Sequence, residues 1–233
     1  MSGQVEGKVA LVTGGGSGIG AAIAELLARE GASVVVTDID ELNGPEVVAR
    51  ITKAGGEALF LHQDVTSEAR WIEVVAEVEK RYGRLDILVS NAGIGIGAAS
   101  IVDMSLADWR RQTAINLDGV FLSVKHCLSV MRKTGGGSII MMSSLAGLRG
   151  AAGLSGYSAT KGGVRLFAKS IAMECATFGD GIRVNSVHPG IIDTPIWGKI
   201  PAEAAGAGQN ALIDPEERAK MANMAITSAR ARA

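Results

Sequence analysis

The chain has 233 residues, 47% of them hydrophobic, with 31 glycines, which suits one domain of the larger kind with a large core and many tight backbone approaches. A formal net charge of −1 leaves no electrostatic footprint for nucleic acid or an anionic membrane surface. The opening "MSGQVEGKVALVTGGG" lacks the basic region and cleavage site of a signal peptide, and no uncharged apolar run nears a membrane span. A soluble cytoplasmic protein is expected. Cys127 and Cys175 are isolated thiols in helix-like stretches and read as core residues. His62, His126 and His188 show no ligand spacing, so no metal is expected.

The first expected strand is "KVALVTG" (8–14), followed by "VTGGGSGIG" (12–20), which opens a helix over 18–30 with apolar Ile23, Leu26 and Leu27. Gly14, Gly18 and Gly20 lack Cβ atoms, so backbone N–H groups can approach a pyrophosphate at the positive end of that helix. Glycines in such a turn also serve tight strand–helix packing, so the motif gains meaning from its position. The second strand, "ASVVVTD" (32–38), ends in Asp38, roughly 20 positions past the glycines, where a carboxylate accepts from ribose hydroxyls. A 2′-phosphate there would meet repulsion. With Thr37 and Ile39 as neighbours and no cation in the glycine turn, NAD is favoured over NADP.

Further strands are expected over 57–65, 85–93, 137–144 and 182–190, with helices over 67–82 and 105–133. The strands are hydrophobic almost throughout, as strands covered on both faces are. Alternating strands and helices imply a parallel sheet wound by right-handed crossovers. The fold class is therefore α/β: a doubly wound parallel sheet in three α/β/α layers, one domain over 1–233.

After Ser143 and Ser144 at the end of the fifth strand comes "SGYSATKGG" (155–163), with Tyr157 and Lys161 one helical turn apart. Six motifs now stand in order: T-G-x-x-x-G-x-G, Asp64-Val65, Asn91-Ala92-Gly93, Ile115-Asn116, Ser144-x12-Tyr157-x3-Lys161, and "PGIIDT" from Pro189 to Thr194. With them the chain resembles the short-chain dehydrogenase/reductase family, in its short single-domain branch, from about residue 5 to about residue 200. In its general run it is similar to bacterial alicyclic-alcohol and hydroxysteroid dehydrogenases.

The resemblance implies a Rossmann fold, an NAD-dependent oxidoreductase, and a catalytic set of Asn116, Ser144, Tyr157 and Lys161. Oxidising a secondary alcohol needs a base for the hydroxyl proton, and a free tyrosine titrates at about 10, too high for neutral pH. A lysine cation beside it stabilises the phenolate, at about 1.4 kcal/mol for each unit of lowering. Ser144 would steady the substrate oxygen, and Asn116 would bind a water next to Lys161. Cofactor contacts implied are Gly14, Ser17, Gly18, Ile19 and Gly20 in the turn, Asp38 and Ile39 after the second strand, and Asp64 and Val65 at the adenine. Asn91, Ala92 and Gly93 would line the ribose side. Pro189, Gly190, Ile192 and Thr194, with Tyr157 and Lys161, would take the nicotinamide half.

Substrate positions in this family correspond here to Ile94, Ser144, Leu145, Ala146, Leu154, Tyr157, Gly190 and Trp197. They are largely apolar, as suits a neutral hydrophobic alcohol or ketone. Two alternatives stand beside this reading: a 3-oxoacyl-carrier-protein reductase-like enzyme, and a non-catalytic NAD-binding protein. The tail from about residue 195 departs from the family, ending "ANMAITSARARA" where members continue into a last strand that closes the sheet edge. A sheet without its usual last strand is expected, which weakens the expected homo-dimer or tetramer.

Overall fold

The computed structural model describes residues 3–98 and 100–196. Six strands form one sheet: β1 (Val9–Thr13), β2 (Ser33–Asp38), β3 (Glu57–His62), β4 (Ile87–Ser90), β5 (Gly137–Met142) and β6 (Ile182–Val187). Their order is β3-β2-β1-β4-β5-β6, and every pairing is parallel. The expected doubly wound Rossmann sheet is therefore present among the described residues. The expectation of a missing last strand falls on residues outside them.

Side-chain alternation explains the layers. In β1 and β2, Val9, Leu11 and Val35 point into one core, while Ala10, Val12, Val34 and Val36 point into another. The second core is closed by α1 (Gly18–Arg29) and α2 (Asn43–Lys53), through Ala24, Ala28, Val47 and Ile51. The first is closed by α3 (Glu68–Tyr82), α5 (Gly119–Lys133) and α6 (Ser155–Phe178), through Trp71, Val124, Met131 and Val164. β1, β2 and β4 thus serve two cores, which is why their sequences read as nearly unbroken hydrophobicity. By contrast, β6 gives only Ile182 and Val184 to the first core and exposes Arg183 and Asn185.

Two expectations need correcting. The strands are shorter than their apolar runs. Residues 91–93 and 188–190 leave the sheet as irregular backbone, and β3 ends at His62, although Gln63 N–H still donates to Asp38 O at 2.8 Å. The helix expected over 105–133 is broken in two: α4 (Leu106–Thr113) and α5 flank a π-helical turn, Ala114–Asp118. The wide turn sets Asn116 fully inside the protein without ending the helix.

Since all strands run the same way, Thr13, Asp38, His62, Ser90, Met142 and Val187 end at one edge of the sheet. Between β1 and β4 the winding reverses, because β1 continues to β2 on one side and β4 to β5 on the other. A crevice opens at that reversal, where ligands of this architecture bind.

Candidate active site

The crevice is a cleft of about 260 Å³. The glycine turn closes one end of it. Gly14 has φ +63°, and a Cβ there would come 2.8 Å from Ala92 Cα. A Cβ on Gly20 would overlap the Gly14 carbonyl oxygen, so α1 can start this close to the turn only with glycine there. Gly14, Ser17, Gly18 and Ile19 line the cleft, while Gly20 supports them from behind. Gly18, at φ +53°, would bring a Cβ within 3.1 Å of the Thr194 methyl, so both ends of the chain's motif set meet here. The turn precedes a twelve-residue helix and presents main chain without Cβ cover, which fits a pyrophosphate.

Asp38 faces the same end. Its Oδ2 accepts from Gly16 N–H at 2.8 Å and its Oδ1 from Asp40 N–H at 3.0 Å. Two main-chain donors therefore hold the carboxylate in place at the cleft wall. Ile39, Asp64 and Val65 lie along the same wall, as expected.

Across the reversal, the N-A-G segment is tied to β1. Asn91 N–H and Ala92 N–H both donate to Thr13 Oγ1 at 3.0 Å, and Asn91 Nδ2 donates to Thr13 O at 2.9 Å and Gly14 O at 3.1 Å. Asn91, Ala92, Gly93 and Ile94 all line the cleft. The Asn91 side chain itself is spent on holding the glycine turn. Thr13 opens the T-G-x-x-x-G-x-G motif, but the sequence reading gave it no role; here it ties the N-A-G segment to β1.

At the other end stand Ser144, Tyr157 and Lys161. Burial pushes the Tyr157 phenol above its ordinary value, and the neighbouring Ser144 hydroxyl offsets only part of that. Lys161 is buried and donates from Nζ to Met142 O at 2.8 Å; burial lowers its ammonium to about 8. Its Nζ lies 5.7 Å from the Tyr157 ring centroid. Composition and spacing suggested that the lysine would pull the phenol down. In the protein by itself burial dominates at both groups, and both move toward their neutral forms.

Asn116 is drawn toward the same place by the π-turn. Its Oδ1 accepts from Ile94 N–H at 2.8 Å, and its Nδ2 donates to Ile94 O at 2.8 Å and to Thr160 Oγ1 at 3.2 Å. A Cβ on Gly93 would stand 3.2 Å from both Asn116 Oδ1 and Lys161 Nζ, so the three residues share one corner. The Asn116 carboxamide grips the Ile94 backbone rather than facing the cleft.

Pro189, Gly190, Ile192 and Thr194 complete the wall beside Tyr157 and Lys161. Of the expected substrate positions, Ile94, Ser144, Tyr157 and Gly190 line the cleft; Leu145, Ala146 and Leu154 do not; Trp197 lies outside the described residues. The sequence reading missed Gln63, Ile115, Met142 and Ser143, which line it as well. Ile115 belongs to a motif but was given no role, and the other three sit beside motif residues without a distinctive signature of their own.

A parallel sheet reversing over this cleft, with a serine–tyrosine pair and a buried lysine at its mouth, defines an oxidoreductase of the alcohol dehydrogenase or ketone reductase type. Residues 8–205 match the model of the short chain dehydrogenase family. The chain is 46% identical over 198 residues to cyclopentanol dehydrogenase of Comamonas sp. (strain NCIMB 9872), covering 85% of this chain and 78% of that one. It is 40% identical over 226 residues to 3-alpha-(or 20-beta)-hydroxysteroid dehydrogenase of Mycobacterium tuberculosis (strain ATCC 25618 / H37Rv), covering 97% and 84%. A crystal structure from Burkholderia xenovorans, described as a short-chain dehydrogenase/reductase, superposes with a TM-score of 0.79 at 38% identity, covering 83% of this chain and 78% of that one. The chain belongs to the short chain dehydrogenase family, which works with nicotinamide cofactors.

Proposed function

We propose that the protein, as a single dehydrogenase domain, transfers a hydride between NAD and a neutral hydrophobic secondary alcohol or ketone. The meeting of Ser144 and Tyr157 in the cleft wall, with Lys161 buried beside the phenol ring, carries this reading. Nicotinamide, when bound, supplies the hydride acceptor for oxidation and the donor for reduction.

The chain's own residues do the rest. Tyr157 moves the proton: it takes the one on the alcohol oxygen during oxidation and gives one to the carbonyl oxygen during reduction. Ser144 holds that oxygen and steadies its developing charge. Lys161, anchored by Met142 O, sets a cation near the phenol and against the wall where a ribose would lie. Asn116 fixes the Ile94 backbone and, with it, this corner of the site.

NAD over NADP is supported by Asp38, whose charge is held at the cleft wall by two amides. Among the described residues lining the cleft, Lys161 is the only lysine or arginine, and it stands at the tyrosine end. An alicyclic alcohol or a hydroxysteroid suits apolar Ile94, Ile115 and Ile192, and the names of the relatives point the same way. Among the described residues no helix is long and apolar enough to cross a membrane, in keeping with a cytoplasmic protein. A homo-oligomer is supported by α5 and α6, which carry exposed Phe121, Leu166, Met173 and Phe178.

The test is Tyr157→Phe, assayed with NAD and a panel from cyclohexanol to a hydroxysteroid. NAD affinity should stay near that of the parent while turnover falls by about a thousandfold or more. Retained turnover removes Tyr157 as the proton-transfer group. A parent protein that binds NAD but turns over no member of the panel with either cofactor would instead be a non-catalytic nucleotide binder.

A further inference from the structure

The imidazole of His188 joins the end of β6 to the main chain of Ser144. Nδ1 lies 3.2 Å from Ser144 O, and Nε2 lies 3.0 Å from Ser186 Oγ. A carbonyl oxygen can only accept, so Nδ1 carries the hydrogen and donates; in the neutral ring Nε2 then accepts from the Ser186 hydroxyl. The ring is thereby fixed at both nitrogens.

The sheet explains why a side chain is used at this point. The β5–β6 ladder continues past the strand ends, with Ser143 N–H donating to Val187 O at 2.8 Å and Leu145 N–H to Pro189 O at 2.9 Å. In a parallel ladder of this register the reply to Ser143 O would come from the amide of residue 189. That residue is proline and has no amide hydrogen. The donor from the β6 side is missing at the rung beside Ser144. His188 supplies one from its ring, one carbonyl further along.

We propose that His188 is a positioning residue: through the Ser144 carbonyl it holds the backbone from which the Ser144 hydroxyl meets Tyr157. The inference rests on the proposed role of Ser144. Ser144 has extended backbone, φ −164° and ψ 161°, and its Oγ also accepts from Ala146 N–H at 3.1 Å. The Ser144 carbonyl also accepts from Gly147 N–H at 2.9 Å, and Leu145 N–H of the same peptide donates to Pro189 O. Without the imidazole the peptide keeps these two bonds but loses a side-chain donor at its oxygen, which loosens the set of the hydroxyl against the reacting oxygen. NAD contacts at the glycine turn and Asp38 lie at the far end of the cleft and stay in place.

The test compares His188→Ala, His188→Asn and Ser144→Ala in the full chain, reading kcat, KM, NAD affinity and Tm. His188→Ala should lower kcat about tenfold with NAD affinity unchanged. His188→Asn, whose amide can donate from nearly the same place as Nδ1, should recover kcat to within about threefold of the parent. A His188→Ala enzyme with parental kcat overturns the inference. So does an Asn variant as slow as the Ala variant, or a loss that in both variants only follows a fall in Tm. Ser144→Ala separates the two readings. If it is inactive while His188→Ala is fully active, only the His188 inference fails; if Ser144→Ala keeps full turnover, the proposed role of Ser144 fails first.

Discussion

The Lys161 ammonium lies 5.7 Å from the centre of the Tyr157 ring, yet its hydrogen bond goes to the Met142 carbonyl. The cation is held near the phenol by a group other than the phenol, at the expense of burying a charge. Unfolded, Lys161 keeps its proton to about pH 10.4; folded, only to about 8. Between those values the unfolded chain holds more protons, so stability contributed by this group rises with pH across that window, and the penalty is complete below it. Lys161→Met should therefore raise stability at pH 7 by about 2 kcal/mol, after allowing for the lost bond to Met142. Denaturant melts at pH 7 and pH 10 check this: the advantage should shrink toward the higher pH while turnover is lost at both.

The upward shift of Tyr157 has a sign that rates should report. Because burial favours the protonated phenol, the group is ready to donate throughout the neutral range. Ketone reduction should stay level through neutral pH and decline only in the alkaline range. Alcohol oxidation, which needs the phenolate, should climb with pH over the same interval. A profile of kcat/KM in both directions tests it, and an oxidation rate independent of pH from 6 to 9 would count against Tyr157 as the base.

Asp38 is bonded to Gly16 N–H and Asp40 N–H, so its charge cannot easily swing aside from an incoming 2′-phosphate. Asp38→Ala should narrow the ratio of kcat/KM for NAD over NADP by about tenfold or more. Asp38→Asn keeps an acceptor but loses the charge, and should fall between the two. An unchanged ratio in both variants removes Asp38 from cofactor choice.

Two glycines make a matched pair for testing the turn. At Gly20 a methyl group would overlap the main-chain oxygen of Gly14, which no side-chain rotation can relieve; at Gly150 nothing lies within 4 Å. Gly20→Ala should cost about 1–3 kcal/mol and weaken NAD binding, by analogy with overpacked cores. Gly150→Ala should leave Tm and affinity at parental values. Thermal melts with and without NAD give both readings.

The glycine turn and the strand-end carboxylate were legible in the residues because the proposed nucleotide contact demands each of them. Its supports were not. Gly16 donates to Asp38 through its main chain, so its role does not show in residue type. The hydroxyl of Thr13 accepts from two amides 78 and 79 positions away, partners that the local sequence does not reveal. The Tyr157–Lys161 pair was legible as spacing along a helix, but the burial that shifts both groups depends on the surrounding fold. The π-turn was invisible for a related reason. Apolar positions such as Val120, Val124, Cys127 and Met131 keep a helical repeat after it, and one wide turn does not disturb that pattern. No helix was singled out over 43–53, where "NGPEVV" begins with turn-forming residues; Gly44 and Pro45 instead sit in the first turn of α2.

The bond from Asn91 N–H to the Thr13 hydroxyl spans 78 positions of the chain. The segment from β1 through β3 is contiguous and can pair its three strands by itself, whereas this bond waits for β4 to dock on the other flank. Closing so long a loop is slow relative to local pairing. During refolding the glycine turn thus gains its final shape only after both halves of the sheet have met. Nucleotide capture is then a clock for the completed molecule, and it will lag any signal that reports the first three strands alone.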